Sequence, residues 1–340
     1  MSRPKLLLLA LVAGLLFCGC GASSISGSAE MDLIQMVQNA PHQVRHSGIR
    51  RIESYYNLDG NHDNLVYRER VQTDGKGRFA ITPLGSTQGG LPSAVAFKAV
   101  QLARAGFHQR YRDFLVRDLV AFLDNYELKS QSGIVAVAGR DCLQVDVARQ
   151  DGSASYEVAL DIETGLVLRY REFDATGVLY SMMEYESYDA QPNLVGVQFH
   201  QESNQESPLT TVSALGFQPL VPKLLPDSAF RFLEASVVTD PSTGTRMAKL
   251  TYTDGVETVF FLDAGPDGNP RTSAATPKAS AGFQAAGYSS GMGPGLSDEV
   301  RVFHEGPLTV VWGDVEGHGL YLVGKASQSE LLQMFESALP

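Results

Sequence analysis

The chain has 340 residues, 44% of them apolar and 19% charged, with 27 Lys and Arg against 38 Asp and Glu for a net charge of −11. That apolar content excludes a disordered chain, and the acidic balance excludes a nucleic-acid binder, which needs clustered Lys and Arg to meet phosphates. Three cysteines exclude a disulfide framework.

Arg3 and Lys5 precede an apolar run, Leu6 to Cys20. The run is shorter than the roughly 20 residues that cross a bilayer as a helix. Residues 1–19 therefore read as a secretory signal peptide. The run ends Phe17-Cys18-Gly19-Cys20-Gly21, which resembles a bacterial lipobox, with Cys20 as the lipidated residue. Phe17 stands where Leu is usual, and Gly21 stands where Asp would retain a lipoprotein in the inner membrane. The expectation is a lipid anchor on Cys20 in the outer membrane, with residues 20–30 as a small, polar tether. Cys142 then lies alone in a strand-like segment and reads as a small buried hydrophobe.

Met31, Leu33, Ile34 and Val37 have helical spacing, which predicts a short helix over 31–39. The pattern then turns to strands at 49–58, 65–73 and 78–82, separated by the turns Asp59-Gly60 and Asp74-Gly75-Lys76-Gly77. Leu65, Tyr67 and Val71 share one side of the second strand. A helical stretch is expected over 93–123, with Phe97, Phe107, Phe114 and Leu115 turned toward the sheet. Strands follow at 126–130, 134–137, 141–149, 155–161, 167–173, 178–188 and 194–200. Their short connections make them antiparallel neighbours. Residues 31–210 thus predict a large curved antiparallel sheet whose inner face the helices must cover.

Pro208, Pro219, Pro222 and Pro226 interrupt the next stretch, and 211–228 reads as a linker. Residues 229–340 predict a smaller α+β domain. Its strands are expected at 232–239, 247–253, 257–263, 300–305, 308–315 and 319–324. Residues 264–298 are rich in Gly, Pro, Ser and Ala and read as a loop. Ser327 and Glu330 form a capping box ahead of a last helix carrying Leu331, Leu332, Phe335 and Leu339.

Catalytic signals are sparse. Gly287-Tyr288-Ser289-Ser290-Gly291 matches G-x-S-x-G, but that motif works on a turn between a strand and a helix, and neither flanks it here. The seven histidines make no metal-ligand pattern; His42 and His46 are four apart but lie beside Pro41. No catalytic residue, metal site or cofactor is expected.

Two stretches carry a resemblance. The first runs Val137-Ala138-Gly139-Arg140-Asp141-Cys142-Leu143-Gln144-Val145 and continues through Asp161-Ile162-Glu163-Thr164-Gly165-Leu166-Val167-Leu168. The second is Leu225-Pro226 to Phe230, then Leu250-Thr251-Tyr252-Thr253-Asp254-Gly255 to Phe261. Together they resemble the RseB/MucB family of envelope-stress regulators and, more widely, LolA-like proteins. The resemblance implies a LolA-like half-barrel followed by a smaller α+β C-terminal domain. It implies a non-enzymatic periplasmic protein that binds the periplasmic segment of a membrane anti-sigma factor, with lipid or lipopolysaccharide fragments releasing it. The lipobox is a departure, and it suits an alternative role as an outer-membrane carrier or acceptor of lipid or lipoprotein acyl chains. For that role the apolar cavity facing Phe97, Phe107, Phe114 and Leu115 is the expected ligand site.

Overall fold

The structure is a computed structural model that describes residues 27–58, 61–88, 113–199, 215–223, 228–239, 246–266, 300–305 and 308–338. Cys20, Phe97, Phe107 and Ser289 lie outside the described residues. The chain divides into two compact units between Glu202 and Ser203. Both are antiparallel sheets with few helices, an α+β class.

The first unit contains α1 (Gly27–Gln43), β1 (Arg45–Leu58), β2 (Asn61–Asp74), β3 (Phe79–Gln88) and α2 (Leu119–Asn125). It continues with β4 (Tyr126–Val137), β5 (Arg140–Arg149), β6 (Ala154–Asp161), β7 (Val167–Asp174) and β8 (Leu179–Asp189). The sheet order is β3-β2-β1-β8-β7-β6-β5-β4. Two meanders, β1–β3 and β4–β8, are therefore joined at a single seam, the antiparallel pairing of β1 with β8.

Alternation makes one face of this sheet apolar and the other charged. On β5, Leu143, Val145 and Val147 are buried while Gln144 and Asp146 are half-buried. On β7, Leu168 and Tyr170 turn inward while Arg169 and Arg171 turn outward. The outer face carries cross-strand pairs such as Arg171 with Glu157 at 3.3 Å, whose exposure makes each worth little. The inner face is covered by α1 through Ile34 and Val37, by Phe114 and Val116, and by Phe122 of α2, which meet Val145 and Val158. Each such buried side chain contributes about 1.5–3 kcal/mol of transfer free energy.

Several elements differ from the sequence reading. The helix expected over 31–39 runs from Gly27 to Gln43 and so takes in the end of the expected tether. Of the helix expected over 93–123, residues 113–118 are irregular. Asp118 is the reason: it is extended and accepts from the Ala121 N–H, so α2 begins only after it. The strands expected at 126–130 and 134–137 are one strand interrupted by a bulge. No strand forms over 194–199, where Asn193 caps the Val195 N–H and Gly196 adopts φ +78°.

The second unit contains β9 (Arg231–Thr239), β10 (Arg246–Thr253), β11 (Thr258–Asp263), β12 (Arg301–Glu305), β13 (Leu308–Val315), β14 (His318–Gly324) and α3 (Gln328–Ser337). Its order, β12-β13-β14-β11-β10-β9, again joins two meanders at one seam, β11 with β14. The Ser327–Glu330 capping box is present and starts α3. Leu331 and Phe335 pack onto Phe261, Val311 and Leu322. Gly313 is where α3 comes closest, since a Cβ there would lie 2.8 Å from the Phe335 ring.

Part of the expected linker 211–228 is held by this second unit. The fully buried Asp263 carboxylate accepts from the Leu220 N–H at 2.8 Å and the Gly265 N–H at 2.7 Å. It also faces His318 Nδ1 at 2.9 Å, and Phe217 meets the His318 ring edge-on.

The hairpin turn Ala138-Gly139 explains one of the quoted motifs. Val137 pairs with Arg140, and both turn residues have positive φ, +50° and +74°. That is a type I′ turn, which matches the twist of the flanking strands but costs a residue with a Cβ about 1–2 kcal/mol. Ala138→Asn, which tolerates this conformation, is expected to stabilise the chain by about 0.5–1 kcal/mol, and Ala138→Val to destabilise it by a similar amount or more. Urea unfolding of the two variants checks this.

Candidate functional site

The inner face of the first sheet is not uniformly apolar. Arg50 on β1 turns inward in the same register as Ile52, and Glu69 on β2 turns inward between Tyr67 and Val71. The register places Arg50 opposite Glu69 and opposite Tyr185 of β8. Arg50 Nε donates to Glu69 Oε1 at 2.6 Å, and Nη1 donates to Asp113 Oδ2 at 2.8 Å. Arg50 is 2% exposed and Glu69 0%, so this is a buried ion cluster. Burial opposes the Arg50 charge, but Asp113 and Glu69 hold its pKa well above the ordinary value. Burial raises the Glu69 pKa, and Arg50 only partly offsets that.

His46 lies beside the cluster at the start of β1. Its Nδ1 is 3.2 Å from the Val44 carbonyl, which can only accept, so Nδ1 carries the hydrogen. Nε2 is then the acceptor, 3.0 Å from the Tyr185 hydroxyl. The Thr73 hydroxyl donates to the Val44 carbonyl at 2.7 Å and lies 3.0 Å from Nδ1. The ring stacks on Tyr188 at 5.6 Å between centroids. Burial lowers the His46 pKa from 6.5 to about 4, against the opposing pull of the Val44 carbonyl. The imidazole is thus neutral at neutral pH. Burial likewise pushes the Tyr185 pKa upward.

These polar groups share a cavity of about 50 Å³ with Phe114, Leu115, Met183 and neighbouring apolar side chains. Phe114 is 4% exposed and meets Tyr156 edge-on, and Leu115 is half-buried. The cavity has room for a few waters, well below the roughly 300–1,000 Å³ of small-molecule sites. An acyl chain enters only if the surrounding wall parts. Of the four aromatic and aliphatic residues expected at a ligand site, the structure brings Phe114 and Leu115 together here.

The two halves of the first quoted stretch meet at the same end of the sheet. Arg140 donates to Asp161 at 3.1 Å and to Glu163 at 2.8 Å, joining the two halves of the motif by two ion pairs. Gly165, at φ +76°, lies where a Cβ would be 2.6 Å from Met36 of α1. Its lack of a side chain lets α1 reach the sheet. The Arg140 guanidinium also lies over the Tyr188 ring at 5.3 Å. Cys142, adjacent in β5, is fully buried and its thiol is pushed up to about 12 by burial, which makes it an inert hydrophobe as expected.

Composition and motif spacing do not single out Arg50, Glu69, Asp113 or Tyr185, and they present His46 only as a neighbour of His42 beside Pro41. The usable signal was register. A hairpin closed at Asp59-Gly60 pairs Leu58 with Asn61, and the same count brings Arg50 opposite Glu69. Both then fall on the apolar side of their strands.

Removing one partner of a buried ion pair leaves the other uncompensated. Arg50→Met is expected to cost about 3–5 kcal/mol at pH 7.5, with the paired change Arg50→Met/Glu69→Leu costing less than the single change. Glu69 already sits above its ordinary pKa with Arg50 present, and losing Arg50 removes what lowers it, so the orphaned carboxyl binds a proton still more readily when folded. The deficit of Arg50→Met relative to the parent should therefore shrink as pH falls toward 5.5. Urea midpoints at the two pH values decide it.

Comparison with known proteins completes the site. Residues 39–203 match the model of the MucB/RseB N-terminal domain. A solved MucA/MucB complex of Pseudomonas aeruginosa is 18% identical, covers 91% of this chain and 96% of its own, and has a TM-score of 0.46. A crystal structure of MucB alone is 18% identical, covers 92% and 98%, and has a TM-score of 0.49. A domain of an outer-membrane lipoprotein-sorting protein from Vibrio parahaemolyticus is 14% identical, covers 49% and 93%, and has a TM-score of 0.20. No curated protein matches. The matched span takes in the cavity, the ion cluster around Arg50 and the Arg140–Asp161 motif, and over it this chain is similar to the MucB/RseB N-terminal domain.

Proposed function

We propose that this chain is a non-enzymatic binding protein on the periplasmic side of a Gram-negative cell envelope, which senses envelope state by holding the periplasmic segment of an anti-sigma factor. The observation that carries this reading is the family match over 39–203. MucB, one of the family's two namesakes, has been crystallised with the periplasmic part of MucA, and a partner of that kind is assigned to this chain. The small cavity also favours a protein over an acyl chain as the resident partner.

A second reading is a lipid or lipoprotein carrier or acceptor of the outer membrane. It is supported by Gly19-Cys20 at the end of the signal-like segment and by Phe114 and Leu115 at the cavity wall. Both readings place a lipid anchor on Cys20, with a protein partner in one and an acyl chain in the other.

The deciding experiment captures the tagged full chain from a detergent extract of its own envelope and identifies bound proteins and bound lipids by mass spectrometry. The first reading expects stoichiometric recovery of a single-span membrane protein through its periplasmic segment. Recovery of acyl lipid or lipoprotein without such a protein would establish the second reading in its place. Cys20→Ala is expected to shift the chain from the membrane fraction to the soluble fraction. Unchanged fractionation would rule out the anchor.

A further inference from the structure

The β1–β8 seam holds the first sheet's two meanders together, and His46 sits at one end of it. Tyr185 cannot slide along this seam. A Cβ on Gly48 would lie 2.6 Å from the Tyr185 ring, so the ring rests directly on the β1 backbone. A bulge between Ile49 and Arg50 follows at once. Tyr185 is also part of the cavity wall. Its hydroxyl donates to His46 Nε2, an acceptor only while the imidazole is neutral.

We propose that His46 is the proton sensor of an acid-operated latch: proton uptake at Nε2 abolishes the bond from Tyr185, parts β1 from β8 at that end, and opens the cavity. A proton on Nε2 turns an acceptor into a second donor facing the Tyr185 hydroxyl. The hydroxyl can rotate, but the new cation stays 2% exposed. Its surroundings do not welcome it. Arg50 on the same strand repels it, while Arg140, which stands over the Tyr188 ring on which it stacks, is itself balanced by Asp161 and Glu163. From β2 it meets the Thr73 hydroxyl, which already donates to Val44, and Glu69 is committed to Arg50. From β8 it meets the neutral Tyr185 and Tyr188. The Val44 carbonyl and Asp113 favour the charge, but Val44 already accepts from Thr73 and Asp113 is bonded to Arg50. Water is the remaining solvent for the imidazolium, and water reaches it when the seam separates. The latch depends on neither the protein-partner nor the lipid reading of the function.

The sign and size follow from linkage. An open seam returns His46 to its ordinary pKa of 6.5, while the closed seam holds it near 4. Between those values the open state binds more protons, so opening grows about tenfold per pH unit as pH falls, to a limit of about 300-fold. Hydrogen exchange of the full chain, followed by mass spectrometry from pH 7.5 to 4 and corrected for the chemical exchange rate, reads this directly. Peptides covering Gly48–Ile52 and Met183–Tyr188 should gain exchange steeply below pH 6.5, while those in β5 and β6 gain far less. His46→Gln keeps a donor toward Val44 and an acceptor for Tyr185 but has no proton to take up, so its seam should stay flat with pH. An equal acid response in His46→Gln, or no seam response in the parent, overturns the latch. Should the variant fail to fold, nitrogen-15 shifts of the parent's imidazole serve instead. A neutral Nδ1–H ring that takes up its proton only as the seam opens supports the latch, and titration of the ring with an unchanged seam overturns it.

Discussion

A guanidinium shut off from water, held between two carboxylates, sits where the first sheet's two meanders meet. Arg50 cannot be ionised there without Glu69 and Asp113, and each of those is drawn inward by it. The arrangement has a structural consequence beyond its own energy, which for buried ion pairs is often near zero against an apolar alternative. It specifies register. Sliding β1 by one residue against β2 would bury Arg51 and expose Arg50, leaving Glu69 buried alone. The cost of that error is larger than for any apolar residue on the same face. The cluster also brings Asp113, which lies between β3 and β4 in the chain, onto the inner face, and so positions Phe114 and Leu115 against the cavity.

The two quoted motif halves have a common physical cause. Ala138-Gly139 closes a tight hairpin whose next residue, Arg140, reaches across to Asp161. Asp161 in turn accepts backbone N–H groups of the turn that ends at Gly165, against which α1 packs. A small turn, a cation, an anion and a glycine are thus one assembly that fixes α1 to the sheet. Tyr188 links that assembly to His46, so the α1 docking site and the β1–β8 seam share an aromatic ring.

Much of this fold was legible in the sequence because most of its pairings are local. Turns such as Asp151-Gly152 and Asp254-Gly255 mark hairpins by glycine and aspartate alone, and β9 to β14 and α3 follow the expected boundaries to within a residue or two. What was not legible is non-local. No pattern in β1 announces β8 as its neighbour, and no composition says that residues 217–220 are tied to Asp263. Helical spacing over 93–123 predicts a helix through Phe114 and Leu115, yet Asp118 is extended and caps the next helix, and the described residues 113–118 are irregular. The site was partly concealed for a different reason. A charged residue in an otherwise polar-rich strand looks solvated until its register is counted, and only the Asp59-Gly60 turn supplies the count.

The single seam also sets a schedule for the chain's own assembly. His46 and Tyr185 are 139 residues apart, and nothing between them in the first meander can substitute for β8. Until β8 has formed, β1 keeps one open edge. During that interval it is the kind of strand that recruits foreign partners. Arg50, Arg51 and Glu53 are three charges within four residues, and Gly48 precedes them. In the finished sheet some of these residues build the cluster. In the unfinished chain the same residues make the waiting edge a poor template for aggregation, so the groups that later join the two meanders first keep β1 from pairing with the wrong strand.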